Sequence, residues 1–211
     1  MNHIETDLHP TMDTNRTTYE RIAKEFSATR RSVWACVRAF ADDYLRSGQK
    51  VLEVGCGNGK NLEFLQHRVD VVGIDTCENF VRICGAKGLN VRAGDAREIP
   101  YGEATFDAVL CIAMFHHVAE EDRCRAFRDI LRVLRVGGVG ILTCWSVEQP
   151  EYSKFIFSEG LNIVPWNKTQ FRYYYVYSET MFREYFQSFS EITIERIYNE
   201  LGNWVLVFRK V

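Results

Sequence analysis

The 211-residue sequence has seven cysteines (Cys36, Cys56, Cys77, Cys84, Cys111, Cys124 and Cys144) but no CxxC pair. Most of them fall inside apolar runs, where free thiols act as small hydrophobes. No metal centre and no disulfide framework is therefore expected, and a reducing, intracellular setting is. No apolar run approaches the roughly 18 residues of a membrane span. The polar opening MNHIETDLHPTMDTN has no secretory pattern. An excess of one charge is missing too: 26 basic against 28 acidic residues leave a net charge of −2. Such a balance gives no overall field for nucleic acid and leaves any RNA contact to local arginines. Proline is scarce, with two of the four placed in residues 145–178. Repeats and low-complexity segments are absent.

What is present suits one well-packed domain, with 46% apolar residues. Residues 1–17 lack periodicity and are expected to form a flexible tail, leaving 18–211 as a single domain. From Tyr19 to Leu45 apolar residues recur at helical spacing, with a break near Ser27-Ala28-Thr29. Strands are then expected at 50–54, 70–74, 89–93, 106–111 and 138–144, alternating with helices at 59–66, 77–87 and 120–135. Strands as apolar as VLEV and VVGI suit a parallel sheet covered on both faces. The stretch 145–178 breaks this rhythm with a crowd of aromatics and is long for a connection, as functional loops are. A helix at 179–187 and a hairpin of strands 191–198 and 203–210 close the chain.

The segment VLEVGCGNG, residues 51–59, is a glycine turn behind a strand. A P-loop requires GxxxxGK followed by Ser or Thr; Lys60 follows Gly59, but the spacing is wrong and Asn61 comes next. A dinucleotide turn requires GxGxxG, whereas Gly55, Gly57 and Gly59 alternate. Glu53 ahead of the turn would repel a pyrophosphate but suits a cation. S-adenosylmethionine is such a ligand, with its sulfonium and ammonium and no phosphate. Asp75, ending VVGID, is placed to accept from both ribose hydroxyls. In AGDAREIP, Asp95 is placed to accept from the adenine amino group and Ala96 to offer a backbone N–H to a ring nitrogen. Ile112, just past the fourth strand, completes the cofactor set. These residues fall at successive strand ends, where ligands sit in open α/β sheets.

With VVGID, GDAREIPY, FDAVLCIAMFHHV and LRVLRVGGVGILT, the glycine turn resembles the ordered motifs of class I S-adenosylmethionine-dependent methyltransferases over about residues 50–144. The resemblance implies a Rossmann-like α/β fold, a seven-stranded mixed sheet with helices on both faces. On the substrate side, His116 and His117 follow strand four. General base, hydrogen-bond donor and packed residue are all open to His116 on its own.

The FSATR segment, the double histidine, the string CWSVEQ, VPWNK and FRYYYVY are together similar to the eukaryotic wobble-uridine tRNA methyltransferases, over about 19–208. That resemblance implies esterification of the carboxylate of 5-carboxymethyluridine at anticodon position 34. A carboxylate arrives ionised and needs no strong base, but it must be stripped of water and held in line. An arginine fork does this. Arg30 is the first candidate and Arg172 the second, with His116 as a donor near the uracil edge or the carboxylate. Trp145, Tyr173 and Tyr175 are candidates for stacking on bases, although the tyrosine run reads equally as a strand with one packed and one wet face. Arg31, Lys168, Arg172 and Arg183, with His117 nearby, are candidates for the substrate rim, whereas Arg38 reads as solvated. Some members of the family carry a long charged insertion between the VPWNK and FRYYYVY strings, and this chain does not.

The same resemblance implies a partner, a small zinc-binding activator docking along the third-strand edge, with the zinc held by that partner. A cytoplasmic heterodimer acting on the tRNA anticodon loop is the resulting expectation. Two alternatives stand beside it: a methyltransferase for a small acid or phenol, and a catalytically silent subunit that keeps the fold as an interaction surface. A nucleotide-dependent dehydrogenase is disfavoured by Glu53.

Overall fold

The computed structural model describes residues 12–211. Five strands and their connecting helices alternate as the apolar pattern demands: β1 Lys50–Val54, α3 Lys60–Leu65, β2 Asp70–Asp75, α4 Glu78–Ala86, β3 Val91–Ala93, β4 Phe106–Cys111, α5 Glu120–Val133 and β5 Leu134–Trp145. Ahead of them lie α1 Met12–Thr29 and α2 Ala35–Tyr44. After them come β6 Gly160–Pro165, β7 Phe171–Val176, α6 Glu179–Gln187, β8 Ile192–Glu200 and β9 Asn203–Lys210. Among the described residues no helix is long and apolar enough to cross a membrane.

Seven strands form one sheet in the order β3-β2-β1-β4-β5-β9-β8. β1 pairs in parallel with both β2 and β4, whereas β9 runs antiparallel between β5 and β8. The expected closing hairpin turns at Leu201-Gly202, where both residues have positive φ (51° and 79°). That is the geometry a two-residue hairpin turn requires.

Both sheet faces are covered, which explains the unbroken apolar runs. Leu52, Val109 and Leu142 face a core with Phe127 of α5 and Phe182 and Phe186 of α6. Val51, Leu110 and Ile141 face the opposite core with Val37 and Phe40 of α2 and Leu62 of α3. Gly140 lies opposite Phe208, and a Cβ there would sit 2.2 Å from that ring, so the ring's packing depends on the missing side chain.

Two expectations change. The supposed tail is helical from Met12, the start of α1, while residues 1–11 lie outside the described residues. Apolar periodicity missed this turn because it is held by hydrogen bonds. Asn15 Oδ1 accepts the Tyr173 N–H at 2.7 Å, its Nδ2 donates to the Tyr173 carbonyl at 2.9 Å, and Thr18 Oγ1 donates to the Phe171 carbonyl. The stretch 145–178 is not wholly irregular either, since β6 and β7 pair antiparallel from Gly160↔Val176 to Pro165↔Phe171. This small sheet and α1 together roof the C-terminal ends of the main strands.

Candidate active site

The order of the main sheet reverses direction at β1 and β4, where an open α/β sheet forms its ligand crevice. A cavity lies there, floored by Glu53–Gly57 at the end of β1, Asp75–Cys77 at the end of β2, Gly94 and Ala96 after β3, and Ile112–Met114 after β4. Asn15, Arg16, Tyr19 and Phe26 of α1 close its roof.

The glycine turn is built for close approach. Gly55, Gly57 and Gly59 all have positive φ, and the N–H groups of Gly55 and Cys56 both donate to the Ile74 carbonyl. A Cβ on Gly55 would meet the Met114 side chain at 2.2 Å, whereas one on Gly57 would meet nothing within 4 Å. Gly57 therefore leaves its backbone open to the cavity, while Gly59 lies outside the cavity wall and caps the start of α3.

Glu53 is 2% exposed. Its Oε1 accepts from Asn61 Nδ2 at 2.6 Å, but Oε2 has no protein partner, and neither does Asn61 Oδ1. Burial pushes the Glu53 carboxyl up to about 8, against the opposing pull of the Asn61 bond and Lys60. Two buried acceptors without donors, one of them a carboxyl, fit an ammonium group and not a phosphate. Asp75 accepts from the Gly57 and Cys77 N–H groups, both at 2.8 Å, which fixes its carboxylate at the wall. Burial raises it to about 6, with those backbone bonds opposing. Its oxygens retain lone pairs for a diol. These residues fit S-adenosylmethionine.

Asp95 does not join this set, contrary to expectation. Its carboxylate accepts the Arg97 backbone N–H and pairs with the Arg97 guanidinium at 2.7 Å, and Arg97 extends to Asp122. Burial alone would raise Asp95, but the Arg97 bonds outweigh it and hold the carboxyl below its usual range. Ala96, beside it, does line the cavity.

A second cavity adjoins the first and shares Tyr19, Phe26, Arg30, Trp34, Lys60 and Ala113 with it. The rest of its wall is Thr29, Arg31, Ser32, His116, Trp145 and Tyr174. Among the described residues that wall holds five aromatic rings besides the histidine and three cations, and no acid. Arg30 lies with its guanidinium 4.4 Å from the Phe26 ring centre.

The two histidines divide between the cavities. His116, 1% exposed, borders the second; its Nδ1 accepts from the Trp145 N–H, so Nε2 carries the proton. His117 borders the first, a correction to its expected place on the substrate rim. At 2.7 Å from the Tyr173 carbonyl its Nδ1 is the donor, and its Nε2 accepts from the Tyr19 hydroxyl at 3.0 Å. Burial lowers both, His116 well below its usual value and His117 to about 4. Each imidazole is neutral at physiological pH.

Strand alternation decides the tyrosines. Tyr174 stacks on His116 (4.7 Å, 16°) and packs on Trp145 at 4.4 Å, facing the second cavity. Tyr173 and Tyr175 point to the opposite face, where Arg123 lies 3.4 Å over the Tyr175 ring, so neither reaches the cavity. Arg172 is 4% exposed and supports Tyr174 by donating to its hydroxyl at 2.9 Å. It does not line either cavity, and no carboxylate among the described residues pairs with it. Lys168 is exposed in the β6–β7 turn, Arg183 pairs with Glu179, and Arg38 is exposed over Phe64. Sequence reasoning missed Asn61, Lys60, Trp34 and Tyr174 as site residues. Two of them, Lys60 and Asn61, directly follow the glycine turn.

A family model described as "Methyltransferase domain" matches residues 52–142. The chain is 39% identical to tRNA (carboxymethyluridine(34)-5-O)-methyltransferase of Arabidopsis thaliana over 64% of this chain and 33% of that protein. With the Xenopus tropicalis tRNA (carboxymethyluridine(34)-5-O)-methyltransferase alkbh8 it shares 28% identity over 92% of this chain and 40% of that one. The chain thus spans well under half the length of these curated relatives. A protein of Encephalitozoon cuniculi named as a methyltransferase is 37% identical, over 75% of this chain and 78% of its own length. Among solved structures, a Burkholderia thailandensis N1-methyltransferase with bound 1,6-didemethyltoxoflavin and S-adenosylhomocysteine superposes with TM-score 0.71 at 18% identity (94% and 88% covered). A complex of the Haloferax volcanii Trm112 methyltransferase activator with a methyltransferase gives 0.71 at 16% identity (93% and 97% covered). The reversed sheet with its acid-lined crevice, and a relative matched over most of both chains, place this protein in one family: it belongs to the class I S-adenosylmethionine-dependent methyltransferases.

Proposed function

We propose that this chain esterifies the carboxylate of 5-carboxymethyluridine at wobble position 34 of tRNA. One observation carries the reading: the second cavity adjoins the cofactor cavity, and among the described residues it is walled by aromatic rings and cations with no acid. Such a wall takes a flat base bearing a negative charge. The names of the plant and frog relatives support it.

S-adenosylmethionine supplies an electrophilic methyl on a positive sulfur. A carboxylate oxygen forms the new C–O bond as the S–CH3 bond breaks, and no proton moves. Two neutral buried histidines suit this chemistry, which needs no base. When the cofactor is bound, Glu53 Oε2 and Asn61 Oδ1 would hold its ammonium, Asp75 the ribose diol, and the Ala96 N–H the adenine edge. Arg30 orients the nucleophile, Tyr174 and Trp145 hold the uracil ring, and the His116 Nε2–H donates to its edge or to the carboxylate. Orientation matters more than neutralisation, because too strong a grip on the carboxylate lowers its reactivity.

The proposal extends to a cytoplasmic heterodimer. β3 lies at the sheet edge with Arg92 and Ala93 exposed, an open edge of the kind a partner strand covers. The complex of the Trm112 activator with a methyltransferase among the structural neighbours supports an activator partner, and its zinc and its place at this edge belong to the proposal. The test is methyl transfer from labelled cofactor to tRNA bearing the free acid, with and without activator, beside a panel of small carboxylic acids and phenols. Transfer to tRNA, raised by activator, is expected. Transfer only to small acids or phenols would overturn it, and failure to bind cofactor even with activator would mark a silent subunit.

A further inference from the structure

Lys60 is the first residue of α3, directly after the glycine turn. Its ammonium is 5.5 Å from the centre of the Trp34 ring, and it borders both cavities. Among the described residues no hydrogen-bond acceptor or carboxylate partner reaches Nζ. Arg30 also borders both cavities, and among the described residues its guanidinium donates only to the neighbouring Thr29 hydroxyl. Two cations thus border both cavities, with no acid of the described residues in the second. Burial lowers the lysine's pKa; the attraction of Glu53 opposes this and the repulsion of Arg30 adds to it. Two like charges held together in a part-buried wall leave room for an anion that would relieve both.

We propose that Lys60 is a specificity-determining residue that, with Arg30, clamps the nucleophile's carboxylate and selects the ionised acid over its neutral amide. This rests on the reading of function above and names the residue that enforces it. An Arg fork fixes the plane of a carboxylate, while an ammonium approaching from the α3 side fixes which oxygen is left free toward the methyl. A neutral carbamoyl group gains nothing from either charge and leaves both unpaired, the costly case for buried polar groups. Arg16 borders the first cavity and not the second, and would be a separate cation for the cofactor's own carboxylate.

The test uses the full chain with its activator and compares wild type, Lys60→Met and Lys60→Arg. Three quantities are measured: S-adenosylhomocysteine affinity by calorimetry, KM and kcat on tRNA bearing the acid, and inhibition by tRNA bearing the 5-carbamoylmethyl amide. For Lys60→Met, KM for the acid should rise about tenfold or more, and the preference for acid over amide should shrink by a similar factor. S-adenosylhomocysteine affinity should stay within about twofold, and Lys60→Arg should recover much of the preference. A tenfold loss of S-adenosylhomocysteine affinity with unchanged KM would assign Lys60 to the cofactor and overturn the clamp. So would an active Lys60→Met enzyme with its acid preference intact. If wild type methylates no tRNA, the reading of function fails instead. The clamp is then judged by binding of the 5-carboxymethyluridine nucleoside to the S-adenosylhomocysteine complex, which Lys60→Met should weaken; equal binding would overturn it.

Discussion

Glu53 was legible as a site residue from its place before the glycine turn, and the structure adds why it is unusual: it is buried with one oxygen unpaired. Its carboxyl titrates near 8 in the ligand-free fold and near 4.5 when free, so folding retains a proton over that window. Stability of the ligand-free protein therefore falls as pH rises from about 4.5 to about 8. A cationic ligand reverses the preference, so S-adenosylhomocysteine affinity should rise toward pH 8 with release of a proton. Calorimetry in buffers of different ionisation enthalpy reads that proton, and Glu53→Gln should abolish its release and flatten the pH dependence. At the neighbouring cavity, Arg30→Ala should lower kcat/KM on the acid about 10–100-fold, with S-adenosylhomocysteine affinity nearly unchanged. Steady-state kinetics beside calorimetry checks it. Residues that chain spacing could not resolve are those whose direction depends on register. Tyr173, Tyr174 and Tyr175 are chemically identical in sequence, and only the pairing of β7 turns Tyr174 alone toward the cavity. Asp95 was misread because Arg97, two residues on, competes for its carboxylate.

At the scale of elements, the strand and helix alternation from β1 to β5 followed from apolar runs alone, because both faces of the sheet are covered. α1 did not. Its first turns contribute Asn15 and Thr18 to hydrogen bonds with β7, and Glu20 to the N–H groups of Glu78 and Asn79 at the start of α4. None of these contacts has an apolar period. The helix is thus tied to the strand that carries Tyr174 and to the helix that follows Asp75, which couples the roof of the cofactor cavity to both walls. Asn15→Ala takes the Asn15 partner from the buried Tyr173 N–H, while the Tyr173 carbonyl keeps His117 Nδ1, and should cost about 1–3 kcal/mol in urea unfolding. S-adenosylhomocysteine should also dissociate faster from that variant in stopped-flow measurements. An unchanged dissociation rate would separate the helix from the cavity it covers.

For the whole molecule, a net charge of −2 coexists with a cavity whose charged wall residues, among those described, are Arg30, Arg31 and Lys60. The overall balance disguises a local cationic site, so composition gave no hint of an anionic substrate, and only the strings outside the common core did. The sheet order and the acids at its strand ends account for the cofactor; the adjoining aromatic and cationic cavity accounts for the nucleophile. The most direct test of that division is the chemical nature of the methylated product. Labelled methyl groups are transferred to tRNA bearing 5-carboxymethyluridine, and the product is treated with mild alkali. A carboxylate ester releases the label as methanol, with the free acid regenerated at position 34. Label that survives alkali, on a ring nitrogen or a ribose oxygen, would contradict the account.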